Sequence, residues 1–210
     1  MMNLYGNGQS RSFRALWALE EAKIPYNYHH VEFESEQNPY GALSREYKNL
    51  NCQGKVPTIV DGDLVITESA AILNYVSACS PSARLAPIYD TPLKVKFDEI
   101  CFFVLSDLEQ PVSSIGKHRF GLPRERRIPD MLETSVWEFN RSLTALKQYL
   151  TENEYLVGKS FTIADILVAH TLNLATFFGL DMPEIFSSYK DRMYKRPACQ
   201  TALEVSKNHC

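Results

Sequence analysis

Residues 55–67, KVPTIVDGDLVIT, carry two β-branched runs separated by Asp61-Gly62-Asp63, a pattern that closes a β-hairpin. The hairpin limits what the surrounding chain can build. Upstream, Asn3 to Tyr5 reads as a short strand and Gly6-Asn7-Gly8 as a turn. SRSFRALWALEEAK, from Ser10 to Lys23, reads as a helix with Phe13, Leu16, Trp17 and Leu19 making it apolar on most sides. Ile24-Pro25 ends it, and YNYHHVEF, residues 26–33, reads as a second strand. The polar stretch 34–51 is expected to be loop with a short helix over 42–48. Downstream of the hairpin, Thr67 or Glu68 opens a helix through Ala70, Ile72, Leu73 and Val76. The order β-α-β, then β-β-α, predicts a layered α/β unit.

Pro81, Pro87 and Pro92 interrupt that order and mark a boundary, so the expected domains are 1–80 and 91–210. Everything past the boundary has a helical period. Leu93, Phe97, Ile100, Val104 and Leu108 form one apolar stripe, and Leu132, Val136, Phe139, Leu143, Leu146 and Leu150 form another. Between them KHRFGLPRERR, from Lys117, is locally basic and reads as a solvated connection. Thr162-Ile163-Ala164-Asp165 has capping-box spacing, with Phe161 and Ile166 placed as a staple, which predicts a helix from Thr162 to Gly179. His170 inside it reads as a core histidine. Gly158-Lys159-Ser160 ends like a phosphate loop, but Asn153 stands where that motif needs its first glycine, which rules out the motif.

A net charge of −3 and a pI near 6.0 supply no global basic field for nucleic acid or an anionic membrane. No apolar run approaches the roughly 20 residues of a membrane span. MMNLYGNGQSRS lacks a basic segment leading into an apolar one, so a soluble, unexported, cytoplasmic protein is expected. Cys52, Cys79, Cys101, Cys199 and Cys210 are scattered without a CxxC pair, which argues for a reducing compartment and against a disulfide framework or structural zinc. No metal site is expected: His29 and His30 are adjacent on a strand and point to opposite faces.

Three pieces of the first domain carry chemistry. Ser10 lies where the first strand turns into a helix, so its hydroxyl either caps that helix or stabilises an anion there. Val56-Pro57 opens a strand, as an ordinary proline or as a cis bond that exposes the Val56 N–H and C=O to a peptide ligand. Glu68-Ser69 begins a helix. It is either a cap or a pair whose carboxylate takes a ligand ammonium while the hydroxyl and helix end hold a carboxylate.

Tyr5 with SRSFRALWALEE, then NLNCQGKVPTIVDGDLVITESAAILNYV, then VGKSFTIADILVAHTLNLA, closely resembles cytosolic glutathione transferases of bacterial and fungal type, over about residues 2–200. The resemblance implies an α/β thioredoxin-like N-terminal domain that binds glutathione as co-substrate, with a cis proline at Pro57. It also implies an all-α C-terminal domain that completes the site for a small hydrophobic electrophile, with Cys101, Phe102, Phe103 and Ser106 as lining. A homodimer is the implied assembly. Val56 would pair its backbone with the cysteinyl part, Glu68 and Ser69 would hold the γ-glutamyl end, and Gln53 and Lys55 would lie near the ligand carboxylates. The first loop departs from the family pattern. The resemblance implies Ser10 as the thiol-activating group with Arg11 as helper and Tyr5 as alternative, and it also admits Asn7 and Gln9. Conjugation of the thiolate to the electrophile is the expected reaction. A glutathione-dependent thiol-disulfide reductase or peroxidase, and a non-catalytic interaction module, are the alternatives.

Overall fold

The computed structural model describes residues 1–35, 38, 41–89, 91–150 and 154–208. Asn153 and Cys210 lie outside the described residues. The chain divides into two compact units, Met1–Ala86 together with the chain from Tyr194 on, and Pro87–Met193.

In the first unit β1 (Met2–Gly6), β2 (Tyr26–His30), β3 (Thr58–Asp61) and β4 (Leu64–Thr67) form one sheet in the order β2-β1-β3-β4. β1 runs parallel to β2 and antiparallel to β3, and β3 runs antiparallel to β4 across the expected hairpin. Gly62 turns that hairpin at φ +59°, where no side chain would find an obstacle but an L residue would be strained. The second strand stops at His30, short of the expected Phe33. β1 ends at Gly6, and after the Val31 N–H donates to the Gly6 carbonyl there is no neighbour left to pair with.

α1 (Ser12–Ala22) begins two residues later than the pattern suggests, because Ser10 is spent in a turn, its N–H on the Asn7 carbonyl and its own carbonyl on Phe13. Ser12 through Leu19 and Ala22 are all buried, as expected of a helix covered on most sides. α2 (Arg45–Leu50) begins three residues later and ends two residues later than expected. Ala42 is held by the Glu32 carbonyl, and the helix starts where the Ser44 hydroxyl accepts the Tyr47 N–H at 3.1 Å. α3 (Ser69–Cys79) and the last helix of the chain, Pro197–Asn208, both pack on α1. Sequence alone groups that last helix with the helical domain. Arg196 pairs with Glu21 through Nε at 2.6 Å and Nη2 at 2.9 Å.

The second unit is helical. α4 (Pro92–Phe103) is capped by Thr91, whose hydroxyl accepts the Lys94 N–H at 3.2 Å. A π-helical turn over Val104–Leu108 carries it into α5 (Glu109–Gly116), and a second over Lys117–Gly121 carries it further. Of the first expected stripe, Phe97, Ile100, Val104 and Leu108 are buried, whereas Leu93, in the first turn, is 45% exposed. In α6 (Asp130–Leu150) Phe139, Leu143, Leu146 and Leu150 are buried, but Val136 is 37% exposed and Ser135 occupies the inward position beside it. The basic connection is ordered by one of its own cations. The Arg127 guanidinium donates to the carbonyls of Arg119, Phe120 and Leu122 at 2.7–2.9 Å.

α7 (Ile163–Phe177) is the core helix of this unit, and Gly179 follows it at φ +71°. Asp165, with no solvent exposure, accepts from the Thr162 N–H (2.8 Å) and hydroxyl (3.2 Å), the Leu156 N–H (3.0 Å) and the Tyr189 hydroxyl (2.8 Å). Burial pushes its carboxyl up from the usual range against these four donors. α8 (Glu184–Tyr194) supplies Tyr189, α9 is the last helix, and His170 is fully buried in α7. No helix among the described residues is long and apolar enough to cross a membrane, and no group of three or more metal-ligating side chains is gathered among them.

Candidate functional site

The register of the sheet brings the three chemical segments together. Tyr5 pairs with Thr58, and Thr58 pairs with Thr67. One row across three strands therefore places the loop after β1, the Val56-Pro57 entry to β3 and the Glu68-Ser69 exit from β4 at the same end of the sheet. With strands about 4.8 Å apart, the row spans about 10 Å, the reach of a short peptide.

At the middle of the row the Val56-Pro57 bond is cis, as expected from the KVP motif. No hydrogen bond among the described residues uses the Val56 N–H or C=O. The neighbouring Lys55 carbonyl is held firmly, by the Tyr47 hydroxyl at 2.6 Å and the Asn51 amide at 2.7 Å. Both groups also reach the buried Thr58 hydroxyl, at 3.0 and 3.1 Å. Tyr47 lies outside the motifs read from sequence and Asn51, the first residue of NCQGKVP, is not singled out within them; the signal for the pair is two polar side chains one helical turn apart. Tyr47→Phe is expected to cost about 1–2 kcal/mol of stability, the usual loss for a buried hydroxyl hydrogen bond; urea denaturation measures it, and a loss within a few tenths would mean that Asn51 alone holds the segment. Gln53 and Lys55 are both exposed, and Lys55 Nζ donates to Gln53 Oε1 at 2.7 Å.

At one end of the row stands the β1–α1 loop. Ser10 is half-buried, with its Oγ 3.0 Å from Ser12 Oγ and accepting the Ser12 N–H at 3.3 Å. Ser12 is fully buried, and its Oγ also accepts the Asn7 N–H at 3.1 Å. Gly6 makes room for it, since a Cβ there would lie 2.7 Å from that of Ser12. Ser10 is not the helix cap. Arg11 occupies that position, exposed and in helical conformation, without a capping side-chain bond. The Asn7 amide is spent on the Val31 carbonyl at 2.8 Å, which turns it away from the loop, and Gln9 is exposed. Tyr5 is half-buried with its ring stacked on His29, centroids 4.7 Å apart.

At the other end, Glu68 is exposed at φ 69°, ψ 115°, and its carboxylate makes no hydrogen bond or ion pair among the described residues. α3 begins directly after it without a side-chain cap. Ser69 is buried and accepts from Arg14 Nη1 at 3.4 Å. The four residues expected to line an electrophile site belong to the second unit and face different ways. Cys101 is buried, its thiol pushed up to about 12 by desolvation, whereas Phe102 is 68% exposed and Ser106 is exposed with its hydroxyl on the Phe102 carbonyl.

Residues 1–78 match the family model described as glutathione S-transferase, N-terminal domain, and residues 115–197 the model described as glutathione S-transferase, C-terminal domain. A glutathione S-transferase of Triticum aestivum is 30% identical over 207 residues, covering 95% of this chain and 92% of that protein. Elongation factor 1-gamma 1 of Oryza sativa subsp. japonica is 32% identical over 188 residues, 87% of this chain, but the chain spans only 41% of that protein's length. A sphingomonad glutathione S-transferase solved in complex with glutathione has the same fold, with a TM-score of 0.85 at 22% identity over 98% of both chains. Two family domains in order, a near full-length relative and the shared fold agree: the chain belongs to the glutathione S-transferase family.

Proposed function

We propose that this chain is a glutathione transferase that ionises the glutathione thiol and conjugates it to a small hydrophobic electrophile. The row Tyr5–Thr58–Thr67 carries the reading, because it sets an unused peptide edge between a hydroxyl-bearing loop and an uncapped helix start. Glutathione lies along it as an added strand: its cysteinyl backbone pairs with the Val56 N–H and C=O. The γ-glutamyl ammonium meets Glu68, and its carboxylate meets Ser69 and the first-turn N–H groups of α3. Lys55 and Gln53 lie near a ligand carboxylate. The structure neighbours solved with glutathione bound support the choice of ligand.

The loop supplies the activating hydrogen bond. With the Ser12 hydroxyl donating to Ser10 Oγ, Ser10 accepts twice from Ser12, and its own proton is free to point at the ligand sulfur. A free thiol titrates near 8.5, so only a few per cent is thiolate at neutral pH, and each unit of depression needs about 1.4 kcal/mol of preferential anion binding. The thiolate attacks the electrophilic carbon, a C–S bond forms, and the leaving group departs with its electron pair or the electrons pass into the acceptor. Arg11 assists and Tyr5 is the alternative donor. Family resemblance carries the homodimer and the cytoplasm as part of the same reading.

The elongation-factor relatives favour a second reading, an interaction module. Titration with glutathione separates the two, since a ligand selective for the native state must raise its melting temperature. No shift at millimolar glutathione would sink the transferase reading. Ser10→Ala is expected to lower kcat/KM at neutral pH by about 10-fold, with a rise in the thiol pKa of bound glutathione and little change in its affinity. Ultraviolet titration of the thiolate checks this; coincident curves for the two proteins would pass the role to Tyr5 or Arg11.

A further inference from the structure

We propose that Arg14, which no motif singles out, is a positioning residue that makes the helix start of α3 selective for an anionic carboxylate; the inference rests on glutathione being the ligand. Arg14 lies on α1 with no solvent exposure. Burying a cation costs several kcal/mol unless the site gives it partners, so its place behind a proposed ligand site is not neutral. Its Nη1 reaches Ser69 Oγ, the first residue of α3, at 3.4 Å, and it has further interactions within the fold.

A guanidinium only donates, whereas a serine hydroxyl carries one proton and two lone pairs. The contact therefore occupies Ser69 as an acceptor on its inner side and leaves its one proton for the outer side. Beside it the first-turn N–H groups of an uncapped helix also donate. Every group at this point is a donor with a fixed cation behind it, in a place where burial weakens screening. A carboxylate meets that set with two acceptor oxygens and a full negative charge, whereas an amide keeps one acceptor and turns an NH2 donor toward donors, and a neutral carbon offers none. Glu68, one residue earlier, with its carboxylate unpartnered among the described residues, supplies the opposite preference. The pair thus reads an α-amino acid head group by both of its charges, with Arg14 responsible for the carboxylate half.

Calorimetry with three ligands tests this: glutathione, 4-aminobutyryl-cysteinylglycine, which lacks the α-carboxylate, and glutaryl-cysteinylglycine, which lacks the α-ammonium. Arg14→Met is expected to weaken glutathione and the glutaryl analogue by about 10-fold, as loss of charge-assisted hydrogen bonding implies, and to change binding of the aminobutyryl analogue less than about 2-fold. Arg14→Lys, which keeps the charge, should lose less, and Ser69→Ala should reproduce the carboxylate-specific loss. Equal losses on all three ligands would reduce Arg14 to a structural role and overturn the inference, as would unchanged glutathione affinity. If Arg14→Met does not fold, Arg14→Lys and Ser69→Ala decide, and an unaltered ratio of glutathione to aminobutyryl affinity in both overturns it. Wild-type protein that binds none of the three ligands would instead overturn the transferase reading.

Discussion

Asp165→Ala is expected to destabilise the helical unit by about 4 kcal/mol, a large share of the 5–15 kcal/mol that holds a typical domain. The four donors that converge on this carboxylate come from three places in the chain: Leu156 ahead of the helix, Thr162 at its cap, and Tyr189 on α8. Truncation leaves two backbone N–H groups and two hydroxyls without their acceptor in a site that excludes water, and each unsatisfied group costs about 1–3 kcal/mol, reduced by relaxation. Capping alone is worth less. Thr162→Ala, which removes one hydroxyl donor, should cost only about 1 kcal/mol. Asp165→Asn should fall between, since its amide keeps one acceptor and turns an NH2 group toward donors. Urea denaturation followed by far-ultraviolet circular dichroism gives the three values. A cost for Asp165→Ala no greater than that for Thr162→Ala would show that the carboxylate caps the helix and does nothing to tie α8 and the preceding segment to it.

That network also shows how far the sequence could be read. The Thr162–Asp165 spacing is local, so the cap and the stop at Gly179 were legible, whereas the bonds to Leu156 and Tyr189 join residues 9 and 24 positions away and leave no spacing signal. The same division runs through the first unit. The Asp-Gly-Asp hairpin and the β-α-β, β-β-α order of elements follow from turn chemistry and periodicity. Ser12 and Arg14 do not, because a polar residue inside an apolar helix looks neutral until its partner is known, and that of Arg14 lies 55 residues on. Tyr47 and Asn51 act through backbone atoms of the Lys55 segment, which no side-chain pattern encodes. In the helical unit, Phe97, Ile100, Val104 and Leu108 keep α-helical steps straight through the π turn of Val104–Leu108, so that turn is invisible to a stripe of apolar positions. The division between the compact units at Ala86 and Pro87 falls inside the proline-bearing stretch 81–92, but a terminal helix carries no mark of the unit it joins.

Glu68→Ala is expected to weaken glutathione binding by about 2 kcal/mol, roughly 30-fold, as for loss of one charge-assisted hydrogen bond. The observation behind it is a non-glycine residue held at φ 69° with its carboxylate unused among the described residues. Such a conformation costs on the order of 1–3 kcal/mol and persists only when its surroundings fix it. Here Thr67 is paired to Thr58 on one side, and on the other the Glu68 carbonyl accepts the Ile72 N–H at 3.0 Å to start α3. A glycine would adopt this geometry without strain, so fold stability alone gives no reason for glutamate. Two substitutions separate the backbone from the carboxylate. Glu68→Ala removes the charge and keeps the strain, whereas Glu68→Gly removes both and should raise stability by about 1 kcal/mol once the extra freedom of the unfolded chain is counted. If the carboxylate holds the γ-glutamyl ammonium, both variants lose the same affinity for glutathione, and neither loses affinity for the glutaryl analogue, which has no ammonium to lose. Calorimetry on the two variants with the two ligands gives the answer: a Glu68→Gly protein that binds glutathione like the wild type would mean that the residue shapes the strand-to-helix turn and takes no part in holding the ligand.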